Sequence, residues 1–378
     1  MSSFKERIKR MPGGRSLIAA KRKLSRARRK AIGTRIGGGL CILLRARHFK
    51  TRIEEELRVR LEEPPTPKQI HWCFWDYLHF WCKFLGTMDP DYALVTDYLG
   101  AQLYRKSDFF RMESFATGAR VEWRNAIQDE KYWPIFTDKD KFYAAFSEHL
   151  GRGWMLVNRD TAYADYAAFV ATRTVVFAKG VSGGGGKEVE RWQLDSEEAR
   201  RELYELCRKK AQVIEDPLIQ CEALHSFSCC SAVNTVRMVT VVDRAGCPHV
   251  AAAALRIDRR EEHIDNFSSG GMGAAVDVET GIVTMPARNK AGKAYIIHPD
   301  SEKQIVGFKI PDWEKYREFA LTLASRFPAM RYVGWDIIQD RNGEMCVIEG
   351  NKDGGSDVLE TGLLNGLLPV YNRYRDMQ

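Results

Sequence analysis

Nowhere does the chain run to the about 18–20 uninterrupted apolar residues that a membrane-spanning helix requires. The longest candidate, Ile36 to Leu44, is short and interrupted by glycines at positions 37, 38 and 39. No apolar core with a small-residue cleavage site follows the basic N-terminus, so no secretory signal is expected. No two cysteines are spaced C-x-x-C. The nine, at 41, 73, 82, 207, 221, 229, 230, 247 and 346, suggest neither a disulfide framework nor a zinc site. They read as reduced, small apolar side chains in a cytoplasmic protein. No internal repeat is present, and strands and helices do not alternate in the regular way of a Rossmann or barrel fold.

What remains is an ordinary globular composition with an uneven charge. The 378 residues are 44% hydrophobic and 29% charged, enough to build one large domain or several lobes sharing clefts. Formal net charge is +8, yet residues 1–50 hold 16 Lys/Arg against the single acid Glu6, so the remaining chain is acidic at −7. Seven of the ten residues from Lys21 to Lys30 are basic, with Ala19, Ala20, Leu24 and Ala27 as a thin apolar stripe. Such a segment is a solvated tail or a basic amphipathic helix on anionic lipid, which would hold the protein at the inner face of a membrane. Nucleic acid is not expected as a partner, because no binding motif accompanies the charge.

Three segments follow: a basic leader, 1–50; a helical region, 51–130; and an α+β region, 131–378. The run His71 to Phe84 carries aromatics on nearly every helical face and predicts a helix buried on several sides. Thr137 to Asp140 opens a further helix, with Phe142, Ala145, Phe146 and Leu150 at helical spacing and Gly151 closing it. Strands are predicted at 154–157, 174–179, 212–215, 235–242, 250–257, 274–278 and 282–285. Asp195 and Glu198 open a helix between the second and third strands, and Pro311 introduces another. A hairpin, 333–338 and 345–349, turns at Arg341-Asn342-Gly343.

Three constellations carry chemistry. A predicted strand ends at Lys179 and runs into Ser182, Gly183, Gly184, Gly185, Gly186 and Lys187. Glycines let backbone N–H groups approach phosphate oxygens, and a strand-end lysine neutralises their charge. No Gly-Lys-Ser/Thr opens a following helix, so this is not a Walker A loop. In the hairpin, Glu349 and Asn351 share one strand face, and Asp336 on the partner strand can reach it. Two carboxylates and a carboxamide oxygen suit Mg²⁺, which fills its shell with water and nucleotide phosphate. Third, the strand ending at Glu215 passes into an extended linker up to Glu222. Such a backbone can meet an adenine edge, and a later carboxylate can meet ribose hydroxyls.

In this order, lysine, lysine with glycine loop, acidic linker, then Asp…Glu-x-Asn, the constellations resemble the ATP-grasp superfamily from about Lys131 to the C-terminus. More narrowly the chain resembles the sugar-transfer-associated ATP-grasp branch. The residues that carry this are Asp138-Lys139 with Phe142, Asn234-Thr235-Val236-Arg237, Asp265-Asn266 with Gly270-Gly271, His298-Pro299-Asp300, Ile310-Pro311-Asp312-Trp313 and Gly334-Trp335-Asp336.

The resemblance implies two α+β lobes clasping ATP, behind a helical N-terminal portion. It implies Lys139 and Lys179 as the phosphate lysines, and Ser182 to Gly186 as the loop that folds over the phosphates. Glu215 and its neighbours match the adenine hinge, Glu222 the ribose acid, and Asp336, Glu349 and Asn351 the Mg²⁺ ligands. Many ATP-grasp ligases place an arginine just before the first metal acid. Here only Arg331 lies upstream, and Arg237 or Arg256 substitutes. The implied activity joins a carboxylate to an amine through an acyl phosphate, on a small-molecule or glycan-related acceptor. The alternatives are phosphoryl transfer to a sugar or other hydroxyl, and a nucleotide-binding adaptor of a membrane assembly. The loop Asp265–Gly273 is either a simple connection or a wall of the acceptor site, and His298 is either a base or a structural histidine.

Overall fold

A computed structural model of the protein describes residues 35–61, 63–85, 95, 98–100, 102–114, 120–182, 189–227, 233–258, 271–289, 292–354, 359 and 366–377. The basic stretch Lys21–Lys30, the glycines Gly183, Gly184, Gly185 and Gly186, and the loop Asp265–Gly270 lie outside the described residues. The chain divides into two compact units, residues 1–112 with 117–119, and residues 113–116 with 120–378.

The first unit is helical: α1 (Arg35–Leu44), α2 (Ala46–Arg60) and α3 (Pro67–Phe80), with a π-helical turn, Trp81–Leu85, after α3. Thr66 starts α3 with a reciprocal cap. Its hydroxyl accepts from Gln69 N, the Gln69 side chain accepts from Thr66 N at 2.7 Å, and Pro67 follows. The sequence predicts burial around most of this helix, and the structure corrects that. Cys73, Phe74, Tyr77, Phe80 and Trp81 are buried, but Trp72 and Trp75 are about half exposed. At 100° per residue the buried set covers one arc and the two tryptophans lie opposite it. Phe49 of α2 stacks on Tyr77 at 5.9 Å, which fixes the inward face.

The second unit holds two antiparallel sheets. The smaller has four strands, β1 (Trp154–Val157), β2 (Val175–Gly180), β3 (Val189–Gln193) and β4 (Gln212–Glu215), in the order β1-β4-β2-β3. Helices α5 (Tyr163–Val170) and α6 (Glu197–Lys210) cover it, through Tyr166, Val170, Leu203, Tyr204 and Cys207 against Val157, Val176, Ala178 and Ile214. Ser196 caps α6 by accepting from Ala199 N, and Arg208, Lys209 and Lys210 meet the negative end of its dipole. Ahead of β1 lies α4 (Lys139–Ala145), shorter than the sequence predicts: it ends before a 3₁₀ turn, Ser147–His149, and Gly151 follows at φ +63°.

The larger sheet runs β11-β10-β5-β6-β7-β8-β9. Its strands are β5 (Val236–Val242), β6 (Pro248–Ile257), β7 (Met272–Val276), β8 (Ala287–Asn289), β9 (Ala294–Tyr295), β10 (Tyr332–Gln339) and β11 (Met345–Asn351). Every residue of β5 and β10 is buried, because helices lie on both faces of the sheet: α8 (Trp313–Ser325) on one and α9 (Leu368–Asp376) on the other. Their near-continuous apolar sequences suit strands buried on both faces. A short helix, α7 (Glu222–His225), precedes β5. The expected strand at 282–285 is not formed. Val283 and Ile282 make only isolated bridges, to Val276 and Lys309. The expected hairpin is present, with Gly343 at φ +86° and the Asp340 carboxylate accepting from Asn342 N and Glu344 N.

Candidate active site

Strand register builds the acidic part of the site. Asp336 on β10 is paired with Glu349 on β11 and, on its other side, with Arg237 on β5. Arg237 is paired with Ala254, and Arg256 stands two residues further along β6, on the same face. Glu349, Asp336, Arg237 and Arg256 thus form a row across four strands. Arg237 holds Asp336 with two hydrogen bonds, Nε to Oδ1 at 2.5 Å and Nη2 to Oδ2 at 2.9 Å, and Arg256 Nη1 donates to Oδ2 at 2.7 Å. Burial opposes the Asp336 charge, but the Arg237 and Arg256 guanidiniums outweigh it and hold the carboxyl well below the usual range.

Glu349 has the opposite environment. Burial and the adjoining Asp336 carboxylate push its carboxyl above the usual range, and it shares a hydrogen bond with Asp336. Asn351 Nδ2 donates to Glu349 Oε1 at 3.0 Å. Two touching carboxylates beside a carboxamide oxygen fit a small hard cation, which would replace the proton between them. No third acid belongs to this set. Among the described residues no cluster of three or more His, Cys, Asp or Glu stands ready to hold a metal.

The lysines arrive from the smaller sheet and from α4. Asp138 bridges to Ser182, and Lys139 N donates to Val181 O at 2.8 Å, so the end of β2 is tied to the start of α4. Lys139, Lys179, Glu349 and Asn351 line one cleft, whose apolar wall is Phe136, Phe142, Tyr143 and Ile348. Lys179 also makes an ion pair with Glu215, Nζ to Oε1 at 2.5 Å. Glu215 accepts from Tyr143 Oη at 2.5 Å and from Arg152 Nε at 3.0 Å as well. Burial would raise Glu215, but Arg152 and then Lys179 hold it down at about 2.

Glu215 ends β4, and the linker after it is pinned at both ends. Asp216 N donates to Gly153 O at 3.0 Å, and Cys221 N donates to Gln339 O at 2.9 Å. Beside the linker is a second cleft of about 280 Å³, lined by Val175, Phe177, Pro217, Leu218, Ile219 and His225 among others. Glu222 is exposed and opens α7.

Of the residues expected from the sequence, the structure gathers Lys139, Lys179, Glu349 and Asn351 in the first cleft, and joins Arg237 and Arg256 to Asp336. Arg331 belongs elsewhere, donating to Val242 O and Arg375 O. His298 is fully buried, with Nε2 on Asp258 O and Nδ1 accepting from the Asp300 and Ser301 amides. Both ring nitrogens are engaged with backbone, which is a structural role. Arg152 and Tyr143 are not legible as site residues in the sequence. The signals available are an arginine between Gly151 and Gly153 just ahead of a strand, and a tyrosine beside Phe142.

The family described as sugar-transfer associated ATP-grasp matches residues 122–373. The chain belongs to this family. No curated protein matches the chain. The solved structures that resemble it include the following three. One is the ADP complex of purK, N5-carboxyaminoimidazole ribonucleotide synthetase, at 13% identity and TM-score 0.39, covering 61% of this chain and 50% of that one. Another is the ATP-grasp ligase PsnB with a phosphomimetic variant of its minimal precursor, Mg and ADP, at 12% identity and TM-score 0.38, covering 68% and 64%. The third is the VanG D-Ala:D-Ser ligase from Enterococcus faecalis, at 13% identity and TM-score 0.37, covering 62% and 61%. The chain thus spans between half and about two thirds of the length of each.

Proposed function

We propose that the protein is an ATP- and Mg²⁺-dependent ligase that joins a carboxylate to an amine through an acyl phosphate. The observation that carries this reading is the single cleft lined by Lys139, Lys179, Glu349 and Asn351. Two cationic side chains and two oxygen donors share one cleft, the pairing that a metal-bound polyphosphate needs. The second cleft, with Val175, Phe177 and Leu218 beside the linker, suits the adenine. Glu222 then serves the ribose, and Ser182 with Gly183, Gly184, Gly185 and Gly186 covers the phosphates.

Asp336, Glu349 and Asn351 would hold Mg²⁺, which would neutralise phosphate charge when bound. Lys139 and Lys179 orient the polyphosphate and offset its charge, which is most of what phosphoryl transfer asks of a protein. An acceptor carboxylate oxygen attacks the γ-phosphorus, and the bond to the bridging oxygen breaks to release ADP. Arg237 and Arg256 lie beside the metal acids, placed to balance the negative charge of that step. The amine nitrogen then attacks the acyl carbon, phosphate leaves, and the nitrogen loses its proton to give the amide. The acceptor class favoured is a glycan-related or other small carboxylate, on the strength of the family description.

Product analysis tests the reading. Candidate carboxylates and amines incubated with Mg-ATP should yield ADP, free phosphate and an amide in equal amounts. A stable phosphorylated acceptor without free phosphate would replace the ligase reading with that of a phosphotransferase.

A further inference from the structure

Helix α1 has two unlike faces. Ile42 is buried, and Gly39 lies against the Cys82 sulfur, where an added Cβ would sit 3.2 Å away. On the other side Leu40, Leu43 and Leu44 are 54, 43 and 79% exposed. Their spacing of three and four residues places them on one stripe of the helix. Three leucines in a row on a surface helix are a large apolar area to leave in water.

The charge flanking this stripe in the sequence is of one sign. Residues 1–34 contain twelve Lys/Arg and one acid, and no acid occurs between Glu6 and Glu54. Just after the helix come Arg45, Arg47, His48 and Lys50, of which Arg47 and His48 are exposed. The same unit exposes Trp72 and Trp75 on α3, where Lys50 Nζ lies 5.2 Å from the Phe74 ring. Ten residues make a helix about 15 Å long, half the about 30 Å of a bilayer core. No helix among the described residues is long and apolar enough to cross a membrane.

We propose that α1 docks the protein on an anionic lipid surface, its leucine stripe at the acyl boundary and the flanking Lys/Arg on the headgroups. An interfacial helix needs both features side by side, and neither alone holds well. Self-association through the same stripe would bring two cationic leaders together, which their repulsion opposes. A nucleic acid would satisfy the cations but give the leucines nothing to enter. The inference rests on the first unit and stands apart from the ligase reading.

Flotation of the full chain with phosphatidylcholine vesicles, with and without phosphatidylserine, tests it. The protein should float with the anionic vesicles only, and added salt should weaken the association. The double variant Leu43→Ser, Leu44→Ser removes exposed side chains, so its melting temperature and its Mg-ATP response should match those of the unaltered chain. Its vesicle partition should fall by about tenfold or more. Equal flotation of variant and unaltered chain would overturn the proposal, as would failure of the unaltered chain to float. A lipid-free dimer that the double variant dissolves would assign the stripe to a second copy instead.

Discussion

Lys179 Nζ lies 2.5 Å from Glu215 Oε1, so the lysine that lines the cleft is already half of an ion pair. To reach a phosphate it must share or leave that carboxylate. Glu215 tolerates this because Arg152 and Tyr143 hold its second oxygen. The lysine is thereby kept charged and aimed, and its release does not strand a buried anion.

Nucleotide binding should follow from this arrangement. Mg-ATP at a hundred times its Kd should stabilise the protein by about 2.7 kcal/mol, visible as a rise in Tm. In Lys179→Ala most of that rise should vanish, while the ligand-free protein keeps its fold through the Arg152–Glu215 pair. Absence of any rise in the unaltered protein, with Mg²⁺ or Mn²⁺, would sink the ATP-grasp site as drawn.

The two acids proposed to hold the metal should respond differently to amide substitution. Asp336→Asn deprives two buried guanidiniums of their main counter-charge and should cost about 3–5 kcal/mol. Glu349→Gln removes the like-charge contact with Asp336 and should leave Tm unchanged or higher. Both should lower ADP production by about a hundredfold or more. Urea unfolding alongside ADP release separates the effects. Equal destabilisation by both substitutions would contradict the asymmetry.

Acid should reach the lysine network through Glu215. Its folded-state value of about 2 lies below the ordinary 4.5, so its contribution is complete above the ordinary value and is lost as pH falls towards 2. That contribution is on the order of 3 kcal/mol. Arg152→Met removes the main influence holding Glu215 down. It should move the acid limb of the stability curve to higher pH and lower stability at neutral pH by about 3–5 kcal/mol. Superimposable acid limbs in denaturant titrations would show that Arg152 does not hold Glu215.

Gly350 separates Glu349 from Asn351 and has no room for a side chain. An added Cβ would lie 2.8 Å from Trp335 Cζ3 and 2.9 Å from Phe142 Cε2. Gly350→Ala should therefore cost about 1–3 kcal/mol and shift the two flanking donors. A Mg-ATP response as large as that of the unaltered protein would show that the donors tolerate the shift.

The sequence makes strong patterns legible and weak ones not. The apolar runs of β10 and β11 and the Arg341-Asn342-Gly343 turn announce the hairpin that carries Asp336 and Glu349. The spacing of Glu349 and Asn351 places them on one face because a strand alternates sides strictly. β3 escapes notice because its sequence, VERWQ, is largely polar and its side chains are mostly exposed or half-buried. Arg152 escapes because its charged partner Glu215 and the Val347 carbonyl lie 63 and 195 residues further along the chain. The aromatic run of α3 misleads because tryptophan reads as core on any face, and only the packing of α2 decides which side turns inward.

The row Glu349–Asp336–Arg237–Arg256 also bears on how the larger sheet assembles. Slipping β10 or β5 by one residue would turn its charged side chain to the opposite face, away from its partners. A misregistered intermediate would bury ions without counterions, a heavier penalty than any misplaced valine brings. The four side chains thus act as a key during folding, admitting one alignment of these strands. The two carboxyls and two guanidiniums pair with one another within the row, so the key turns before any cation or nucleotide arrives, and the newly made protein can complete its sheet empty.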